Sequence, residues 1–332
     1  MQSLVQHSGR PPVTAPPDEA AVRTDGLAKT YPGGVAAVRG LGLTVRRGEV
    51  LALLGPNGAG KSTTVGMLTT SVVPTAGRAW VAGVDVVAHP ALARRNIGVV
   101  PQHNTLDRSL NVRENLAFHG RFFGMRAARA RSEADALLER VALTQAAGRP
   151  VAELSGGMAQ RLMIARAIMH HPAVLFLDEP TAGLDPQSRI ALHDLVRELN
   201  ASGQTILLIT HDMEETDQLA DRVAIIDRGR LLALGTPDEL KRSVAADTVV
   251  KVVAETDPAA LAALLRAEVP GARDAHVLDD AVILTVRGNG AVFPDVAAAA
   301  ERARLALRDV RVDEPTLETV FITLTGKELR ER

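Results

Sequence analysis

The stretch GPNGAGKST, Gly55 to Thr63, decides how this chain folds. It follows the apolar run VLALL, Val50 to Leu54, and leads into TTVGMLTT, which carries a helical pattern. A short continuous apolar run is what a strand buried on both faces requires. The order strand, glycine-rich loop, helix matches G-x-x-x-x-G-K-[ST]. Glycines let the backbone curl until its N–H groups point inward at phosphate oxygens. A helix beginning near Lys61 adds the positive end of its dipole. Gly55, Pro56, Asn57, Gly58, Ala59, Gly60, Lys61, Ser62 and Thr63 thus read as a phosphate-binding loop. Lys61 would reach the β- and γ-phosphates of a nucleotide, and Ser62 would ligate Mg²⁺. A glycine-rich turn without such a role rarely has the right strand and helix on its two sides.

A second stretch, VLFLDEP, Val174 to Pro180, places two acids at the carboxyl end of another buried strand. Open α/β sheets bind ligands at that end. Asp178 would hold Mg²⁺ through water, and Glu179 would polarise an attacking water. Alone, DEP after a strand is a common surface turn; beside the phosphate loop it reads as the catalytic half of a nucleotidase.

The surrounding pattern gives the fold class. TILLIT, Thr205 to Thr210, is a third apolar strand, and Ile97 to Val100 and Val223 to Asp227 are further short ones. Helical patterns at Glu114 to Phe123, Arg131 to Leu143 and Gln187 to Asn200 alternate with them. Such alternation predicts a mostly parallel sheet with helices on both faces. Val22 to Lys29 and Val35 to Val45 read as an antiparallel pair around KTYPGG, and Arg228-Gly229-Arg230 reads as a hairpin turn. After a break near Lys241 to Asp247 the order becomes β-α-β-β-α-β, with strands flanking Asp279-Asp280, as in a small ferredoxin-like α+β module. The expected division is a flexible tail over 1–20, a nucleotide-binding domain over 21–243 and an accessory domain over 244–332.

Composition narrows the function classes. Apolar residues are 46% and charged residues 23% of 332, ordinary for a globular chain. The net charge of −1 gives no basic surplus for nucleic acid. Cysteine is absent, which removes disulfides, thiolate metal sites and thiol nucleophiles. The N-terminal MQSLVQHSGRPPVTAPPDEA lacks the basic and apolar regions of a signal peptide. No apolar run approaches the roughly 18 residues of a membrane span, so any membrane role is expected to come through a partner.

LSGGMAQR, Leu154 to Arg161, selects among nucleotidases. Its chemistry is that of a well-capped helix start: Ser155 caps, and Gly156 and Gly157 open the helix as an anion site. With GPNGAGKST, LSGGMAQR and VLFLDEP in this order, the chain resembles the ATP-binding subunit of an ABC transporter, a P-loop NTPase with an antiparallel β subdomain and a helical subdomain at about 103–170. The likeness covers about Val22 to Leu240. Met158 stands where the signature most often has glutamine.

The resemblance implies further roles. Gln102 matches the glutamine that senses Mg²⁺ and contacts the membrane subunit. AGLD, Ala182 to Asp185, matches the loop that communicates between subunits, and Asp185 joins the nucleotide set with Ser155, Gly156 and Gly157. His211 matches the histidine on the γ-phosphate. Tyr31, the only tyrosine, matches the aromatic residue that stacks on adenine, a contact worth about 1–3 kcal/mol by analogy with base stacking. Glu179, His211 and Lys61 are the implied catalytic residues; Ser62, Gln102 and Asp178 the implied metal set; ATP and Mg²⁺ the cofactors. Two copies are expected to meet head to tail, each ATP between one phosphate loop and the other signature. A separate multi-span permease is the expected partner, docking on QHNTLDRSLNVREN, Gln102 to Asn115. The expected place is the cytoplasmic face of the cell membrane.

The segments around the loop and the tail PTLETVF, Pro315 to Phe321, resemble the daunorubicin-resistance type of exporter ATPase. In that type the tail packs against the ATPase dimer. Export of a drug-like compound is the implied function, with lipid, oligosaccharide or sodium export as alternatives. Two other classes stay open: a non-transport ABC protein acting on ribosomes or DNA, and a nucleotide sensor without catalysis. The lack of a second nucleotide domain opposes the former, and intact Glu179 and His211 oppose the latter.

Overall fold

The computed structural model describes residues 20–243, 248–255, 257–278, 281–287, 292–303, 305–313 and 316–325. It divides into two compact units, one running to Leu234 and the other starting at Gly235.

In the first unit, β1 (Ala20–Thr30) and β2 (Ala36–Arg46) pair antiparallel around the Tyr31 turn. There follow β3 (Val50–Leu54), α1 (Lys61–Leu68), β4 (Ala76–Val81), β5 (Val84–Asp85), α2 (Pro90–Arg94) and β6 (Ile97–Val100). A helical region comes next: α3 (Val112–Phe122), α4 (Ala127–Arg140) and α5 (Gly156–Ile168). Then come β7 (Val174–Asp178), α6 (Pro186–Ala201), β8 (Thr205–Thr210), α7 (Met213–Leu219), β9 (Arg222–Asp227) and β10 (Arg230–Gly235).

The central sheet has the order β10-β9-β3-β8-β7-β6. Strands β6, β7, β8, β3 and β9 run parallel to their neighbours in this series. A smaller sheet, β2-β1-β4-β5, is antiparallel. The apolar runs VLALL and TILLIT are buried at every residue because they occupy the sheet centre. The strand pleat sends alternate side chains to opposite faces. Leu175 and Leu177 join the core under α3 to α6, while Val174 and Phe176 join the core shared with β1, β2 and β4. Full burial of one such side chain is worth about 1.5–3 kcal/mol. The helices start where short polar side chains accept backbone N–H groups: Asn111 with Glu114 in a reciprocal box for α3, Ser155 for α5, Asp185 for α6 and Asp212 for α7.

The second unit comprises α8 (Pro237–Ser243), β11 (Thr248–Ala254), α9 (Pro258–Glu268), β12 (Ala272–Leu278), β13 (Ala281–Val286), α10 (Val292–Arg302), β14 (Leu307–Asp313) and α11 (Leu317–Thr325). Its sheet has the order β12-β13-β11-β14, with every pair antiparallel. Val250, Val252, Leu261, Leu265, Val282, Leu284 and Val296 form its core. The division falls earlier than the 243/244 boundary read from the sequence. α8 packs on α11, so a helix that looks continuous with the first unit belongs by contact to the second. The tail over 1–19, Asp279-Asp280 and Pro315 lie outside the described residues. Among those residues no helix is long and apolar enough to cross a membrane.

Candidate nucleotide site

The phosphate loop joins the end of β3 to the start of α1. Gly60, with φ +103°, turns the chain into the helix, and a Cβ there would lie 2.4 Å from the Ala37 carbonyl oxygen. Only glycine fits both the conformation and the space. Lys61 is buried, and its ammonium donates to the carbonyls of Gly55 at 2.6 Å and Pro56 at 3.3 Å. Burial lowers its pKa, while the charges of Glu179 and Asp178 oppose that shift. The cation thus rests on its own loop, held by groups that a phosphate can outcompete as a charged acceptor.

A cavity of about 700 Å³ opens over this loop. Pro56, Asn57, Gly58, Gly60, Lys61, Ser62 and Thr63 line it together with Tyr31, Gln102, Asp178, Glu179 and His211. Five separated stretches of sequence therefore meet in one place. The Tyr31 side chain is part-exposed, its hydroxyl 3.4 Å from Thr63 Oγ1 and its ring 5.2 Å from the Lys29 ammonium. An aromatic face kept half out of the core in this wall offers a platform for a planar base.

Asp178 and Glu179 stand where β7 ends, between the ends of β6 and β8 in the sheet. The Asp178 carboxyl is pushed up by burial and then by Glu179, and pulled back by Lys61. Glu179 adopts φ +47°, a left-handed conformation that costs a non-glycine residue roughly 1–2 kcal/mol. Its backbone N–H donates to the Ile209 carbonyl at 2.8 Å, which fixes the turn to β8. Its carboxylate is held from two sides: Gln102 Nε2 donates to Oε2 at 2.7 Å, and His211 Nδ1 donates to Oε1 at 2.9 Å. With Nδ1 carrying that proton, His211 Nε2 is free to face a ligand. A strained backbone tied to β8, its side chain held by Gln102 and His211, is the kind of outlier found at working sites.

The Ser62 hydroxyl, the Gln102 amide and the Asp178 carboxylate contribute oxygen donors to the cavity. No group of three His, Cys, Asp or Glu among the described residues could hold a metal by itself. A set with one carboxylate, completed by water and phosphate oxygens, fits Mg²⁺.

Other expected residues lie elsewhere. Gly55 and Ala59 do not line the cavity. Gly55 is buried behind the loop as an acceptor for Lys61, and the Ala59 methyl is part of the core. Ser155, Gly156 and Gly157 begin α5 outside the cavity, with Ser155 and Gly156 exposed. Asp185 is exposed and spends its carboxylate on Ser188, accepting from the backbone N–H at 2.9 Å and from the hydroxyl at 2.7 Å. Those bonds hold its carboxyl below the usual range. Within one chain Asp185 is thus the cap of α6 and does not line the cavity. Leu154, Met158 and Leu184 pack on the same core, so the signature and the AGLD loop are neighbours. Met158 fills that core where a glutamine would bring an amide to satisfy.

Sequence reasoning missed Arg39 and Arg228, both of which line the cavity. The only signal available was indirect: Arg228 stands in the β9–β10 turn, and Arg39 lies on the strand that follows the Tyr31 turn.

Comparison with known proteins supplies the family. The family model described as "ABC transporter" matches residues 38–182. A daunorubicin resistance ATP-binding protein of Streptomyces coeruleorubidus is 42% identical over 94% of this chain and 98% of its own length. A Nod factor export ATP-binding protein of Ralstonia nicotianae is 42% identical over 92% of this chain and 94% of its own. A dimeric, post-hydrolysis ATP-binding cassette solved with ADP and Pi superimposes with a TM-score of 0.59 at 27% identity, covering 65% of this chain and 98% of that one. The chain belongs to the ABC transporter ATP-binding proteins and is an ATP-binding ATPase resembling those of daunorubicin and doxorubicin resistance.

Proposed function

We propose that this chain is the motor subunit of an exporter, closing as a head-to-tail homodimer around two nucleotides and driving a separate permease at the cytoplasmic face of the cell membrane. One observation carries the reading: Gln102 and His211 grip the Glu179 carboxylate across the cavity from Lys61. Tyr31 stacks on the adenine. The loop N–H groups and Lys61 take the β- and γ-phosphates, Lys61 leaving the Gly55 carbonyl as they arrive. Ser62, Gln102 and Asp178 would hold Mg²⁺, which neutralises phosphate charge when bound. Glu179 orients the water and accepts its proton. His211, its Nδ1 tied to Glu179, presents Nε2 to the γ-phosphate and keeps the water in line.

Ser155, Gly156 and Gly157 take no part in their own chain's cavity, which supports a role at the partner copy's nucleotide. Glycine N–H groups at a helix start suit a γ-phosphate there. The dimeric cassette among similar structures is consistent with this arrangement. The permease would dock near Gln102 to Asn115, a stretch that reaches Glu179 through the Gln102 amide. Relatives named for daunorubicin resistance and for Nod factor export are about equally similar to this chain. A lipophilic, drug-like cargo is the reading favoured here, because similar proteins from several species are named for resistance to such compounds.

Glu179→Gln tests the mechanism. It keeps the hydrogen-bonding shape, retains ATP and lowers turnover by roughly 10²–10⁴. Light scattering with ATP–Mg²⁺ then finds a stable dimer. Normal phosphate release by this variant, or a chain that stays single, would defeat the proposal. Capture of a multi-span membrane protein from detergent extract, with no ribosomal material, tests the exporter assignment.

A further inference from the structure

Lys61, Arg39 and Arg228 line the cavity as cations, against Asp178 and Glu179 as anions. Without the arginines the balance is one positive against two negative charges, or −1. With them it is three against two, or +1. The two arginines thus reverse the formal charge of the lining side chains, and a cationic lining is what draws in a polyanion.

Neither guanidinium is committed. Arg39 is exposed and donates from Nε to the Ala36 carbonyl at 3.3 Å, and no carboxylate among the described residues pairs with it. Arg228 has a side chain 72% exposed and reaches only its neighbour Asp227, at 3.8 Å. A guanidinium offers five N–H donors, so both retain spare ones.

Their backbones, in contrast, are locked to the phosphate loop. The Arg39 N–H donates to the Gly229 carbonyl at 2.8 Å, and the Gly229 N–H donates to the Ala59 carbonyl at 2.8 Å. A Cβ on Gly229 would lie 2.5 Å from the same Ala37 oxygen that Gly60 abuts. The β9–β10 turn, the start of β2 and the phosphate loop are therefore one frame. Arg228 itself holds φ +47° in that turn, where asparagine, aspartate or glycine is the usual residue. A strained arginine at a cavity rim is an outlier that calls for a function.

We propose that Arg39 and Arg228 clamp the phosphates nearer the base, the α- and β-phosphates of a nucleoside di- or triphosphate. Arg39 lies on β2, the strand that returns from the Tyr31 turn, which puts it on the base side of the cavity. Asp178, Glu179 and His211 stand at the ends of β7 and β8, the side where the terminal phosphate reacts. This inference rests on the cavity being the nucleotide site, as proposed above.

The test titrates the full-length chain with ADP and with ATP for the wild type, Arg39→Ala, Arg228→Ala, the double variant and Lys61→Ala. Both arginine side chains are exposed, so their removal leaves the core intact. The double variant weakens ADP and ATP alike by about tenfold, each single variant by about threefold. Arg39→Lys keeps the charge but not the fork and falls between wild type and Arg39→Ala. Unchanged ADP affinity in the double variant overturns the clamp, and so does a loss confined to ATP. If Lys61→Ala also binds ADP like the wild type, the cavity is not a nucleotide site and the proposed function itself fails.

Discussion

Two helix starts in this chain are built from glycine and a small hydroxyl residue, yet they are finished differently. At α1, Gly60, Lys61 and Ser62 face a cavity walled by Tyr31, Gln102, Glu179 and His211. At α5, Ser155 and Gly156 are exposed and lie outside that cavity, the Ser155 hydroxyl accepting only the Met158 N–H at 3.3 Å. Both present backbone N–H groups and a helix dipole to an anion. Only the first has a lysine, carboxylates and an aromatic wall supplied by its own chain. The difference teaches that sequence motifs of like physics need not be like sites. One draws its lysine, carboxylates and aromatic wall from its own copy, and the other has work to do only if something else brings it an anion.

The largest expected effect falls on the α1 site. Lys61→Ala removes the buried ammonium and lowers ATP affinity on the order of 100-fold, as equilibrium dialysis would record. The same substitution leaves the α5 start untouched, so a preserved affinity would erase the distinction between the two. Ser155→Arg is the reciprocal change. It crowds the α5 start and lowers turnover about tenfold, while affinity for ATP in a single chain stays within about twofold. A large affinity loss in that variant would mean that the two helix starts serve one site within the same copy.

A smaller effect separates the two regions by acidity. α5 rests on α3, where His119 lies beside the stacked rings of Phe123 and His170. Burial, then the charges of Arg166 and His170, lower the His119 pKa from 6.5 to about 4. The folded chain therefore holds this proton more weakly than the unfolded one. Stability from neutral His119 is present above pH 6.5 and is lost as pH falls toward 4. Hydrogen exchange should find amides of α5 losing protection in that window before those of α1. His119→Phe should flatten the response, because the ring stays and the titration goes. Equal loss in both helices would place the acid response elsewhere.

Much of the fold was legible because its signals are local. The phosphate loop, the acids ending β7 and the cap of α5 are each set by a few consecutive residues. The strand alternation between two cores follows from the pleat alone. The division between units was not legible, since α8 continues smoothly from β10 in sequence and only its packing on α11 assigns it. Asp185 was read as a nucleotide residue because its loop matched a family motif. Within its own chain its carboxylate accepts from the Ser188 N–H and hydroxyl and caps α6, a local arrangement that the motif does not spell out.

By itself the sequence determined that a strand, a phosphate loop and a helix follow one another, that acids end a buried strand, and that a second capped helix start exists. Backbone conformation and hydrophobic period act over a few residues, so a linear reading captures them. Tertiary structure alone decided that Gln102 and His211 share the Glu179 carboxylate, that Lys61 lies on the Gly55 carbonyl, and that Arg39 and Arg228 join the cavity wall. Those outcomes depend on side chains brought together from distant strands, and Coulomb and hydrogen-bond energies depend on distance in space, not on separation along the chain.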